Sequence, residues 1–145
     1  MGVSRVCTDD ELRSLLLNTT TWAVVGLGNN PLRDAYSVAH TMQRRGKHII
    51  PVHPTAVEVH GELVARTLHE AVLRVDHIDV VDCFVNSSRV GAIVDEAIEV
   101  GAGAVWMQLG VIDDAAAQRA TSAGLTVVMN RCPMPEWRRL VPELP

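Results

Sequence analysis

Five short apolar runs recur along the chain, at residues 22–25, 48–52, 78–84, 104–107 and 126–129. They read Trp-Ala-Val-Val, His-Ile-Ile-Pro-Val, Ile-Asp-Val-Val-Asp-Cys-Phe, Ala-Val-Trp-Met and Thr-Val-Val-Met. Short, nearly continuous and rich in β-branched residues, each predicts a strand buried on both faces. Between the runs the apolar spacing changes to three and four. Leu12, Leu15 and Leu16 predict a helix over 8–17, with Thr8 and Glu11 at capping-box spacing. Val38, Ala39 and Met42 predict another over 36–45, stopped by Gly46. Val90, Ile93, Val94, Ala97 and Ile98 predict a third over 89–100, capped by Asn86-Ser87-Ser88 and ended by Gly101. Asp113 caps an alanine-rich helix over 114–123, which Gly124 closes. Residues 55–77 carry weaker signals, for a short edge strand at 62–65 and a short helix near 68–73.

Strands alternating with helices predict an α/β fold, with a parallel sheet of five or six strands and helices on both faces. The chain is long enough for one such Rossmann-like domain, taken as 1–145 with 134–145 as a C-terminal tail. Right-handed crossovers put the C-terminal ends of all strands at one edge. Five separated stretches then converge there: residues 26–33, 53–54, 85–88, 108–110 and 130–133. Open α/β sheets bind ligands at that edge, near the point where the strand order reverses.

The first of these stretches organises the rest. The strand at 22–25 runs into Gly26-Leu27-Gly28-Asn29-Asn30-Pro31, and a helical pattern follows. Glycines let backbone approach an anion closely, and a helix start offers unpaired N–H groups and a positive dipole end. The backbone of Gly26, Leu27, Gly28, Asn29 and Asn30 is thus the candidate phosphate cradle. Arg33 is the candidate phosphate partner, because its planar fork suits oxygen acceptors. His53 stands to contact ribose or adenine, or simply to end its strand. Pro54 shapes the loop or meets ligand through its ring. Asn86, Gln108, Gly110 and Arg131 complete the candidate site. Gln108 reads equally as a ligand contact or as a tie to a neighbouring loop, and Arg131 as a phosphate partner or an internal ion pair. Trp106 reads as core. A dinucleotide site for NAD would want a third glycine where Pro31 stands and an acid where His53 stands.

Composition narrows the classes further. The chain of 145 residues has a net charge of −4 and no cluster of Lys and Arg, which argues against a nucleic-acid partner. It contains one Phe and one Tyr, so the core must be aliphatic. Three cysteines, Cys7, Cys83 and Cys132, have no paired spacing and read as reduced thiols of a cytoplasmic protein. The first residues lead into Asp9-Asp10-Glu11 rather than an apolar signal segment, and no run is long enough to span a membrane. No His or Cys spacing suggests a metal site. Cys132 is the one thiol at the crevice, yet no motif supplies the base a nucleophile needs. No catalytic residue is assigned. Trp137 with Arg138 and Arg139 reads as a tail packing on the body or on another subunit.

Four motifs carry a resemblance when taken together: Gly26-x-x-x-x-Pro31-x-Arg33-x-x-Tyr36-x-Val38; Ile50-Pro51-Val52-x-Pro54; Trp106-Met107-Gln108-Leu109-Gly110-Val111; and Val127-Val128-Met129-Asn130-Arg131-Cys132-Pro133. The chain resembles the small stand-alone CoA-binding proteins, which are similar to the CoA-binding domain of the succinyl-CoA synthetase α subunit. The resemblance covers about residues 8–135. It implies a Rossmann-like domain binding coenzyme A or an acyl-CoA, with no established catalytic residues. The chain departs from the usual pattern at Gly28 (usually Ser), His53 (usually Asn or Ser), Val85 (often Arg) and Asn130 (often Asp).

Three functions follow as expectations. The first is a CoA or acyl-CoA binding protein that holds the pyrophosphate at the glycine turn without catalysis of its own. The alternative is an enzyme, either a NAD(P)-linked oxidoreductase or an accessory subunit of an acyl-CoA enzyme. The third is a scaffold whose site has decayed. Expected partners are a CoA-type small molecule and a second copy of the chain or a partner enzyme.

Overall fold

The computed structural model describes residues 7–141. Helix α1 (Asp9–Asn18) opens on a complete capping box, in which the Thr8 hydroxyl accepts the Glu11 N–H and the Glu11 carboxylate accepts the Thr8 N–H, both at 3.2 Å. Strand β1 (Thr21–Val25) leads through the glycine turn to α2 (Asp34–Arg44) and β2 (His48–Val52). A hairpin of β3 (Glu58–Val59) and β4 (Glu62–Leu63) precedes the short α3 (Leu68–Val72). The chain then alternates: β5 (Val80–Cys83), α4 (Ser87–Glu99), β6 (Ala104–Met107), α5 (Asp114–Ser122), β7 (Thr126–Val128) and α6 (Pro133–Leu140).

The five main strands form one parallel sheet in the order β2-β1-β5-β6-β7. This is the predicted α/β architecture, at five strands. Alternate strand residues face opposite layers. Ala23, Val25, Val81, Cys83, Val105 and Met107 pack with the buried faces of α3, α4 and α5. Trp22, Val24, Val80, Ala104 and Trp106 pack with α1 and α2, and with Trp137 and Leu140 of α6. Each strand is buried on both sides because each side is roofed by helices.

Local differences from the expected elements have simple causes. Helix α2 starts at Asp34, two residues before the apolar pattern shows it, since Asp34 and Ala35 fill its first turn. Glu62 and Leu63 pair antiparallel with β3 rather than joining the main sheet, and only Ala65 bridges to β2. That bridge explains Pro51. Its carbonyl accepts the Ala65 N–H at 2.9 Å, away from β1, so the missing N–H of proline leaves the β1–β2 ladder intact. Residues 133–140 of the chain's last segment form a helix, because Pro133 and Pro135 stand in a first turn where proline is tolerated.

The N-terminal edge of the sheet is pinned by Asp79. Its carboxylate accepts the N–H groups of Thr20 at 2.8 Å and Thr21 at 2.9 Å, at the entry to β1. Burial pushes this carboxyl up, but those two N–H groups and His77 outweigh burial and hold it below its ordinary range. Among the described residues no helix is long and apolar enough to cross a membrane.

Candidate functional site

Strand order reverses between β1 and β5: the chain steps outward from β1 to β2, then returns to the other side of β1. The loops after β1 and β5 therefore lie side by side, at the place where such sheets bind ligands. Gly26 is where they touch. Its φ is +93°, and a β-carbon there would stand 2.3 Å from the Phe84 carbonyl oxygen. Its N–H is given to the Val52 carbonyl at 2.8 Å, which ties the turn to β2. Only glycine fits both the torsion and the approach.

The rest of the turn is shaped by short contacts. The Leu27 side chain is fully buried, so this residue offers a ligand only its backbone. Asn29 and Asn30 are exposed, and the Asn30 side-chain oxygen accepts the Leu32 N–H at 3.0 Å. The Arg33 N–H reaches the Asn30 carbonyl at 3.1 Å, closing the turn directly before α2. Arg33 itself is the N-cap residue of α2, and its exposed guanidinium has no hydrogen bond or ion pair among the described residues. Helix α2 follows this loop directly, with Asp34 in its first turn and the Tyr36 N–H given to the Arg33 carbonyl at 3.1 Å.

His53, at the end of β2, is held from several directions. Its N–H goes to the Ala65 carbonyl at 3.0 Å, and its carbonyl accepts from Arg66 at 2.9 Å. Its ring Nδ1 accepts the N–H of Thr55 at 3.2 Å and of Ala56 at 3.0 Å. Pro54 is exposed at the crest of this loop.

On the other side of the reversal, one serine and one asparagine bind three loops together. The Ser87 hydroxyl, in the first turn of α4, donates to the Gly110 carbonyl at 3.1 Å and accepts the Ile112 N–H at 2.9 Å. The Gly110 N–H goes to the Asn130 side-chain oxygen at 2.8 Å. Gly110 (φ +81°) and Asn130 (φ +61°) both take the left-handed conformation, which asparagine tolerates better than most residues. Asn86 caps α4 through its backbone and leaves its exposed side chain unused by the cap. Neither Ser87 nor Asn130 is in the predicted site. Ser87 reads there only as a cap residue, although a hydroxyl next to a strand end was a usable signal.

Beneath the crevice lie Asp82 and Gln108, both buried. The Gln108 amide donates to the Asp82 carboxyl, so it ties β6 to β5 rather than reaching outward. Burial pushes the Asp82 carboxyl up to about 8, against the Gln108 hydrogen bond that favours the ionised form. Arg131 is paired with Glu136 at 3.0 Å, and its carbonyl accepts the fully buried Trp106 indole N–H at 2.8 Å. The Cys132 thiol is half-buried as the N-cap of α6. Burial raises its pKa, the Met134 N–H partly offsets this, and the carboxylates of Asp82 and Asp34 raise it further. It is thus kept as a thiol at neutral pH. Among the described residues no three His, Cys, Asp or Glu side chains gather as a metal site would require.

The structure thus gathers two sets of predicted residues. Gly26, Leu27, Gly28, Asn29, Asn30, Arg33, His53 and Pro54 flank the first half of the crevice, while Asn86, Gln108, Gly110 and Arg131 build the second. Of the side chains, Arg33 has no partner among the described residues, whereas Gln108 and Arg131 are engaged within the fold.

The chain and its fold are shared with known proteins. The chain is 34% identical over 123 residues to the uncharacterized protein YneT of Bacillus subtilis (strain 168), covering 84% of this chain and 88% of that protein. Its fold matches the crystal structure of the PH1109 protein redesigned for binding, with a TM-score of 0.88, 36% identity and 94% of each chain covered. It also matches a hypothetical protein from Pyrococcus horikoshii OT3, with a TM-score of 0.85 and 35% identity over 97% of this chain and 99% of that one. Residues 20–138 match the family described as CoA binding domain, a span that runs from the entry of β1 into α6 and includes every loop of the crevice. The chain belongs to the CoA binding domain family.

Proposed function

We propose that this protein binds coenzyme A, free or as an acyl thioester, at the C-terminal edge of its sheet and performs no bond-making of its own. The observation that carries the reading is the Gly26 turn at the strand-order reversal. The turn runs directly into the N-terminus of α2, and the side chain of its N-cap residue, Arg33, has no partner among the described residues. An anion of the pyrophosphate class suits such a surface. His53 stands where an NAD site would place an acid for the ribose hydroxyl, and Pro31 where it would place a third glycine. A binding role is also supported by Cys132, whose thiol is pushed away from the thiolate form a nucleophile needs.

Calorimetric titration tests the reading. CoA is expected to bind, and NADH at least tenfold more weakly, a gap of ~1.4 kcal/mol. Equal affinity, or a preference for NADH, overturns it. Native mass spectrometry of gently purified protein adds the identity of any retained ligand and the subunit count.

A further inference from the structure

We infer that His53 supplies a side-chain hydrogen bond to the ligand's pyrophosphate, and that Gly28 is glycine to leave room for its ring. The inference rests on the CoA reading above. Gly28 does not have a left-handed φ, so its torsions do not explain it. Its surroundings do. A β-carbon at Gly28 would stand 2.8 Å from His53 Nε2 and 2.9 Å from Cδ2, so the outer edge of the ring faces the turn.

The ring is fixed in that pose. Nδ1 accepts two backbone N–H groups, from Thr55 and Ala56, and the residue's own N–H and carbonyl are held by Ala65 and Arg66. An Nδ1 that accepts cannot carry the proton of the neutral ring, so the proton sits on Nε2. Nε2 has no hydrogen-bond partner among the described residues. It is a donor with its orientation already determined, aimed over a turn whose residues 26–32 contain no hydroxyl and no cation. A phosphate oxygen resting on the backbone of that turn is the acceptor such a donor fits.

The test is a cycle of two variants and their double, read by titration with CoA and with dephospho-CoA. Asn at position 53 can place an amide oxygen where Nδ1 was, keeping the Thr55 and Ala56 bonds while removing Nε2–H. His53→Asn should weaken both ligands by about tenfold or more. Its unfolding temperature should stay close to the parent's. Gly28→Ser alone should weaken binding and lower the unfolding temperature, because its β-carbon meets the fixed ring. The double variant should bind within about threefold of the parent, since the space vacated by the ring now admits a serine hydroxyl. Nitrogen NMR of the parent should show a protonated Nε2 whose signal shifts on adding CoA.

If the parent binds CoA and His53→Asn binds it equally well, this inference falls and the CoA reading stands. If the parent binds neither ligand, both fall. A loss confined to CoA and absent for dephospho-CoA moves the contact to the 3′-phosphate and overturns the pyrophosphate assignment. Additive losses in the double variant overturn the pairing of Gly28 with His53.

Discussion

Gln108 donates its side-chain amide to the carboxyl of Asp82, joining two neighbouring strands beneath the crevice with both side chains buried. The Asp82 carboxyl rises from its ordinary 3.8 to about 8. The unfolded chain loses this proton near 3.8, whereas the folded protein keeps it up to about 8. Between those values unfolding releases a proton, so stability falls as pH rises and levels off above about 8. The slope from one such group is at most about 1.4 kcal/mol per pH unit. Asp82→Asn stays neutral at every pH and still meets Gln108. Urea midpoints at pH 5, 6.5 and 8 should fall in the parent and fall less in the variant, which should be the more stable of the two at pH 8. Parallel slopes would show that Asp82 ionises normally.

Gly26 should be the least replaceable residue of the turn. Alanine there meets the left-handed torsion, at ~1–2 kcal/mol, and a carbonyl oxygen 2.3 Å away, at ~1–3 kcal/mol more. Gly26→Ala should lose about 2–5 kcal/mol in denaturant titration. It should also lose CoA binding beyond what unfolding explains, because relief of the contact parts the two loops of the crevice. A variant within 0.5 kcal/mol of the parent, roughly the spread of surface substitutions, would contradict this geometry.

Arg33 should matter for ligand and not for fold. It has no side-chain partner to lose, so Arg33→Ala should leave the unfolding temperature of the ligand-free protein nearly unchanged. The same change should weaken CoA by roughly tenfold or more, as expected for one charge-assisted contact. Arg33→Lys should recover part of the loss, keeping charge without the fork. If Arg33 serves the 3′-phosphate, dephospho-CoA will be much less affected than CoA. Unchanged CoA affinity at low salt would leave Arg33 as a solvated charge.

Ser87 should act on the second half of the crevice. Ser87→Ala removes the acceptor of the Ile112 N–H and the donor to the Gly110 carbonyl. We expect a loss of about 1–2 kcal/mol and faster hydrogen exchange at the Ile112 amide, with the Asp113-capped helix behind it unaffected. Unchanged exchange at Ile112 would mean that the loop holds without the serine.

The sequence made the layers legible because each apolar run had the length of one strand and each intervening pattern the period of a helix. It also identified the crevice loops, since these are simply the residues after each strand. What it could not show is which side chains meet across the loops. Gln108 and Asp82 are 26 positions apart, and Asp82 reads in sequence only as a polar residue inside a strand. Gly28 looks like a turn former until His53 is seen to fill the space of its missing β-carbon. Helix α6 was obscured by Pro133 and Pro135, which read as breaks in sequence but serve as a helix start in space. Its anchor, Trp137, lies under the Arg45 guanidinium at 4.7 Å, a contact made across the fold.

The two buried tryptophans give the protein an optical signature. Trp22 and Trp106 lie with ring centroids 5.7 Å apart and planes inclined by 39°, in a chain that holds three Trp, one Tyr and one Phe. Indoles that close share their excited states, so the near-ultraviolet circular dichroism should be dominated by this one pair. The Trp106 N–H ends on the carbonyl of Arg131, in the stretch that borders the crevice. A ligand that moves that stretch by a fraction of an ångström would retune the pair. If the protein binds CoA as proposed, this pair should report occupancy without an attached dye.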